Sequence, residues 1–218
     1  MQLARVALAG AVGLAVLIVG AGVFAAPEPS LLARSWELDF AFHDPERILV
    51  TLPGDTHPTT FWFMIYTVTN NSGQDQGFYP AFDLVTDTLQ VITGGDQVHP
   101  AVVEAIRARY KKLYPFFVDP LKVSGTLLQG PDNAKTSAVV FRNFDPAANH
   151  FTIYAGGLSG EVQRLQNFMF DSQKPESGEN PRFFVFRKTL GISYDLPGDE
   201  KSRPQAKPVR VKREWVMR

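Results

Sequence analysis

From Trp36 onward, large apolar side chains recur at every second position. Trp36, Leu38, Phe40 and Phe42 alternate with Glu37, Asp39 and Ala41. Successive side chains of an extended chain point to opposite faces, so this pattern predicts a half-buried strand. His43-Asp44-Pro45-Glu46 reads as a turn, after which Ile48, Val50 and Leu52 resume the alternation. Leu52-Pro53-Gly54-Asp55 carries a type II turn signature, with Pro second and Gly third. Residues 59–69 are different in kind. Phe61, Phe63 and Ile65 fall on one face, and Trp62, Met64, Tyr66 and Val68 on the other. A strand apolar on both faces belongs between two layers. Asn70-Asn71-Ser72-Gly73 ends it with turn-forming chemistry.

Further strands are predicted over 78–85, with Pro80 marking an edge or bulge, and over 88–93, closed by Gly94-Gly95-Asp96. More follow over 122–127, 137–141, 151–154, 161–165 and 182–194, and Val209, Val211, Trp215 and Met217 alternate to the end, broken by Arg213. One stretch switches to helical spacing: Val102, Ala105, Ile106, Tyr110 and Leu113 share a stripe between Pro100 and Pro115. It predicts an amphipathic helix over about 100–114, inserted as residues 97–115 and packed on the sandwich or across an open end. Many short strands separated by turns, with no alternation of strand and helix, predict an all-β antiparallel sandwich rather than βαβ units. The expected organisation is a linker at 27–34 and one domain at 35–218.

The first 26 residues stand apart. Arg5 is their only charge, and residues 6–26 are apolar throughout. A basic end followed by an apolar run is the mark of a secretory signal, with small-residue cleavage after Ala25. The run is also long enough to span a bilayer as a retained anchor. Both fates place the remainder outside the cytoplasm, in the periplasm, envelope or medium. The chain contains no Cys, which removes thiol catalysis and zinc-thiolate sites. Its net charge is zero, yet residues 27–99 hold ten acids against Arg34 and Arg47, whereas residues 100–218 hold nineteen bases against twelve acids. That asymmetry predicts ion pairing between early and late strands. The alternative is a basic surface for an anionic lipid or polymer, built from Lys201, Arg203, Lys207, Arg210, Lys212, Arg213 and Arg218.

Tyr66-Thr67-Val68-Thr69-Asn70-Asn71-Ser72-Gly73, leading into Phe82-Asp83-Leu84-Val85-Thr86-Asp87, resembles a strand-turn-strand unit of bacterial extracellular immunoglobulin-like domains. The whole chain also resembles an uncharacterised family of exported bacterial proteins. The resemblance implies an immunoglobulin-like antiparallel β-sandwich and brings no activity and no catalytic residue with it.

Candidate chemistry is sparse. His43, His57, His99 and His150 are isolated in sequence, so no zinc spacing arises. Oxygen ligands for calcium cluster at Asp132 and Asn133, and at Asp145 with Asn149, where they serve equally as turn formers. Gly157-Leu158-Ser159-Gly160 approaches a nucleophile elbow, but Glu161 stands where a second Gly belongs. Asp83 with Asp87 and Asp195 with Asp199 are acid pairs of the kind used in glycoside hydrolysis. No phosphate-cradling loop or dinucleotide fingerprint occurs, so no cofactor is expected. Aromatics beside bases occur at Phe141-Arg142 and at Phe186-Arg187-Lys188, but alternating strands produce that spacing, and export argues against nucleic acid. Trp36, Trp62, Tyr79, Tyr114, Tyr154 and Trp215 are candidates for an exposed ligand or partner platform. Leu-Pro-Gly-Asp occurs twice, at 52–55 and 196–199, either as two similar hairpin turns or as paired loops of one site. The leading expectation is a non-catalytic exported module contacting other envelope proteins. A glycan or small-ligand binding module and an unrecognised enzyme are the alternatives.

Overall fold

A computed structural model describes residues 27–30, 35–199 and 201–218. The expected signal or anchor segment, residues 1–26, lies outside the described residues, as do linker residues 31–34. Along the chain run β1 (Asp39–Phe42), β2 (Glu46–Val50), β3 (Thr59–Thr69), β4 (Gln76–Phe78), β5 (Ala81–Thr86), β6 (Val91–Thr93) and α1 (Pro100–Tyr110). Then come β7 (Gly125–Leu127), β8 (Lys135–Arg142), β9 (His150–Gly156), β10 (Val162–Gln166), β11 (Phe183–Asp195) and β12 (Val209–Met217). All strand pairing among the named strands is antiparallel.

Each of the two main sheets is organised on one long strand. In the first, β3 carries β2 and β1 end to end on one edge and β8 on the other. In the second, β11 carries β9 and β10 end to end on one edge and β12 on the other, with β5 and β6 beyond β9. The sheets face each other across one core, as in an all-β sandwich. Trp62, Met64, Tyr66 and Val68 of β3 pack with Leu84, Phe151, Ile153, Leu190, Ile192 and Tyr194 from the other sheet. On the opposite face of β3, Phe61, Phe63 and Ile65 join Ala138 and Val140 beneath Val102 and Ile106 of α1. The strand expected to lie between two layers does so, and the helix supplies the outer one.

His99 caps α1 by accepting a hydrogen bond from the Ala101 N–H (3.1 Å), and Pro100 follows at the first turn. At the other end, Tyr110 and Arg109 donate to Glu46 on β2 (2.8 and 3.1 Å). The helix ends at Tyr110, short of the expected 114. Pro115 disfavours helical geometry at residue 114, and the chain closes in tight turns, with Leu113 and Tyr114 N–H both donating to the Tyr110 carbonyl.

Four expected strands differ. Residues 88–93 yield only β6, since the chain first turns, with Leu89 N–H donating to the Thr86 carbonyl (3.1 Å). Residues 78–85 split at Tyr79-Pro80 into β4 and β5, which join different sheets, because Pro80 has no N–H for a ladder. Residues 122–127 yield only β7. Pro120–Lys122 form a short 3-10 turn capped by Asp119, which accepts from the Leu121 N–H (2.9 Å). In β12, Ser193 pairs with Lys212 but Tyr194 with Arg210, so Val211 is an extra, bulged residue. The bulge shifts the alternation. Val209 and Val211 therefore face solvent, while Met217 is buried and Trp215 packs on the core.

The two Leu-Pro-Gly-Asp runs are different turns. The first closes the β2–β3 connection as expected, with Gly54 at φ +93° and Asp55 N–H donating to the Leu52 carbonyl (3.0 Å). The second opens a long connection, in which Asp199 accepts from the Ser202 N–H and hydroxyl (2.8 and 2.7 Å). Leu52 packs under the helix and Leu196 in the inter-sheet core. The acidic and basic parts of the chain do meet: Asp44–Arg210 (3.4 Å), Asp83–Arg218 (2.9 Å), Glu46–Arg109 (3.1 Å) and Glu37–Lys188 (2.7 Å). Among the described residues no helix is long and apolar enough to cross a membrane.

Candidate functional site

The first half of β11 leaves the sandwich. Residues 183–186 pair only with β10 and form a projecting hairpin arm, while Arg187 at its base pairs with Val162 on one side and exchanges backbone hydrogen bonds with Arg218 on the other. At about 3.3 Å per residue, the four steps from Arg187 to Phe183 carry the arm roughly 13 Å outward before the tip loop begins. Directly opposed residues share a face. One face therefore carries Leu165, Phe184 and Phe186, and the other Val162, Val185 and Phe183. Among the described residues both faces are partly open, with Glu28 reaching Gln163 beside Phe186 at the base. Phe183, Phe184 and Val185 are 43%, 48% and 47% exposed, whereas Phe61, Trp62, Phe63 and Met64 on β3 are 4%, 2%, 1% and 0% exposed.

The tip, residues 167–182, is held by two asparagines. Asn167 accepts from the Met169 N–H (2.9 Å) and donates to the Pro181 carbonyl (2.7 Å). Asn180 accepts from the Asp171 N–H (2.9 Å) and donates back to the Asp171 carbonyl (3.0 Å). The Arg182 guanidinium lies 5.1 Å from the Phe170 ring centre. This ordered turn presents Phe168 and Met169 at 77% and 90% exposure.

A buried charge cluster clamps the base. Lys188, the residue where β11 enters the core, lies 2.7 Å from Glu37 and 3.3 Å from Glu161. Ser30 donates its N–H and hydroxyl to Glu161 (3.0 and 2.8 Å), and Lys188 donates to the Ser30 carbonyl (3.3 Å). Burial alone raises the Glu161 carboxyl, but the Ser30 hydrogen bonds and the Lys188 charge outweigh it and hold the group below the ordinary carboxylate range. Burial likewise lowers the Lys188 ammonium, and the two carboxylates reverse the sign and raise it. The cluster fastens the N-terminal linker to the arm. Leu38 N–H donates to Leu158, Gly160 N–H to Trp36, and the Gln163 side chain to the Glu28 carbonyl (2.8 Å). Read towards the N-terminus, the contacts of Leu38, Trp36, Ser30 and Glu28 step along residues 158–163 in the direction of the tip. Gly160 permits this close approach, since a methyl there would run into Ser35 and the Trp36 indole.

The second region is a cleft of about 880 Å³ lined by, among others, Asp44, Arg47, Trp62, Asn143 and Arg203. The Arg47 guanidinium lies 4.7 Å from the Trp62 ring centre and donates to the carbonyls of Arg203 (3.4 Å) and Ala206. Desolvation lowers its pKa from the usual arginine value. Arg203 is buried and donates to the carbonyls of Pro146, Ala147 and Gly198 (3.1, 3.0 and 3.1 Å). Both guanidinium groups thus spend their hydrogen bonds on backbone carbonyls. Trp62 donates to Asn143 (3.1 Å), and Asp44 accepts from Tyr194 (3.1 Å). Chemically the cleft wall carries positive charge whose donors are tied to the backbone, and the Trp62 ring beneath Arg47 is buried.

The sequence candidates are dispersed. Trp62 is core, stacked 5.2 Å from Phe144. Tyr114 bonds His43 (2.5 Å), Tyr154 lies under Arg218 (4.5 Å), and Tyr79 is exposed in the β4–β5 break. Only Trp36 and Trp215 sit together around the clamp: Trp36 against Gly160 and Trp215 5.3 Å from Lys188. Asp132 and Asn133 lie before β8, and Asp145 and Asn149 beyond its far end. Eight residues of strand separate the two pairs by roughly 26 Å. Asp145 accepts from the Ala147 N–H (2.8 Å) and Asn149 N–H donates to Asp87 (3.1 Å), as turn formers do. Among the described residues no group of three or more acids and histidines is arranged to hold a metal. In the basic set, Arg203 is buried, Arg210 and Arg218 pair with acids of the other half, and Lys212 pairs with Glu214 (2.8 Å).

The sequence names Lys188 only as a base beside Phe186, although it breaks the apolar set Phe184, Phe186, Leu190, Ile192 on one face of a strand. A lone lysine at an inward position is the signal that finds it. Arg47 and Arg203 have no such signature. The chain matches no protein-family model, no curated protein and no solved structure.

Proposed function

We propose that this protein is an exported, non-catalytic module of the cell envelope, an immunoglobulin-like sandwich held by residues 6–26, whose working surface is the hairpin arm. One observation carries the reading: three consecutive apolar residues of β11, Phe183 to Val185, stand exposed on a strand that is buried from Lys188 to Ile192. Apolar area on this scale marks a contact surface. The clamp supports it, because a buried ion cluster at the root keeps the arm rigid and in fixed relation to the linker.

The absence of native cysteine makes the test direct. In cells producing full-length Phe184→Cys, a membrane-impermeant maleimide is expected to react poorly in intact envelopes and fully with the purified protein. Leu89→Cys, at an exposed turn, reacts in both. Equal reaction of both variants in envelopes overturns the assignment of the arm, and reaction of neither overturns export.

A second reading, binding of a small anionic ligand such as an acidic sugar, is favoured by the cleft of about 880 Å³ whose wall carries the positive charge of Arg47. It predicts measurable heat on calorimetric titration with galacturonate, abolished by Arg47→Ala. No heat with the unaltered protein removes it.

A further inference from the structure

We infer that the hairpin arm is a membrane probe: its tip inserts at the headgroup–acyl boundary of the same bilayer that the apolar segment 6–26 enters. This rests on the envelope reading above and names the arm's partner.

Direction is the first argument. The linker contacts Leu158 through Leu38, Gly160 through Trp36, Glu161 through Ser30 and Gln163 through Glu28. The described chain therefore begins, at Pro27 and Glu28, beside the arm and on the side towards its tip. A bilayer crossed by residues 6–26 lies at that end of the molecule. Composition is the second. Phe168 and Met169, at the start of the tip loop, are the arm's most exposed apolar residues, and Leu165, Phe183 and Phe184 continue the apolar surface down its flanks. Aromatic and aliphatic side chains of this kind partition into the interface. Charge is the third. Residues 162–187 carry Arg164, Lys174, Arg182 and Arg187 against Asp171, Glu176 and Glu179, nearly balanced. Such an element is driven by apolar burial rather than by anionic lipid. Rigidity is the last. Asn167 and Asn180 already order the tip, so insertion costs little further conformational entropy.

The full chain carrying Met169→Cys, labelled with an environment-sensitive nitrobenzoxadiazole fluorophore, is reconstituted into phosphatidylcholine vesicles. Leu89→Cys is the control. Its turn follows β5, whose start pairs with Gly156 near the arm and whose end pairs with Phe151, so it lies at the opposite pole. The expected result is a blue-shifted, several-fold brighter emission at 169, quenched by spin-labelled lipid, with an aqueous signal at 89. Adding phosphatidylglycerol changes it less than twofold. Aqueous emission at 169 overturns the inference, as does insertion that requires phosphatidylglycerol. If 169 stays aqueous in lipid while the Phe184→Cys variant remains protected in envelopes, the arm's partner is a protein, and the envelope reading stands without this inference. A second label at Phe183→Cys guards against local misfolding at the tip. It is expected to respond more weakly than 169, and a stronger response there contradicts tip-first insertion.

Discussion

Phe61-Trp62-Phe63-Met64 and Phe183-Phe184-Val185-Phe186 are near twins in chemistry, and they meet opposite fates. Both lie in the longest strands of their sheets, and both strands carry two short partners end to end along one edge. The β3 residues have the second sheet on one side and α1 on the other, so both faces are dry. The β11 residues extend past the first sheet, and among the described residues only the linker reaches their base. Burying a Phe side chain contributes about 1.5–3 kcal/mol. The arm forgoes that contribution at several positions, whereas β3 takes all of it. An apolar run therefore specifies a strand and a demand for cover, while the cover is supplied elsewhere in the chain or by a partner.

The contrast can be broken most directly at β3. Phe63→Ala is expected to cost about 3–5 kcal/mol by chemical denaturation, because it opens a cavity between β3 and α1. A cost below about 1 kcal/mol shows that the two runs are not in different environments. Next is the boundary between the two halves of β11. Lys188→Ala leaves Glu161 buried without its cation and is expected to cost about 3 kcal/mol. Hydrogen exchange then rises first at Leu38 and Gly160, the rungs between linker and arm base, and unchanged exchange there shows that the cluster does not hold the linker.

A smaller effect follows from acid. The folded-state pKa of Glu161 lies below its unfolded value, so its stabilising contribution is complete above the ordinary Glu value of about 4.3 and is lost as pH falls through the depressed one. Lys188 is raised, so its contribution is complete below about 10.4 and is lost only as pH rises beyond. Acidification from neutrality is expected to loosen the linker before the core unfolds, visible as earlier exposure of Trp36 and Trp215 than of buried Trp62. Coincident changes at all three contradict a local clamp. Smallest of all, Phe184→Ser is expected to leave stability within about 0.5 kcal/mol, as for a solvent-facing site. A loss like that at Phe63 means the arm is already covered.

Much of the sandwich was legible from residues 36–69, because alternation and the Pro-Gly turn act over a few neighbouring residues. The split at Pro80 was half legible. Its missing N–H announces an interruption, but not that β4 and β5 part to different sheets. The bulge at Val211 was invisible, since it is defined by the register against Ser193 and Tyr194. Of the aromatic candidates, Trp62 lies in the core rather than on a platform, because the ring it stacks on is Phe144, from a distant part of the chain.

By itself the chain determined where strands form, where they turn, and that its acidic and basic parts require each other. These follow from side-chain alternation, backbone sterics and composition, all short-range or summed properties. Which apolar faces are covered was decided only when distant segments met: α1 over β3, the linker at Lys188, and residues 183–185 left exposed. Burial is a relation between surfaces far apart in sequence, and no local pattern encodes the partner's position.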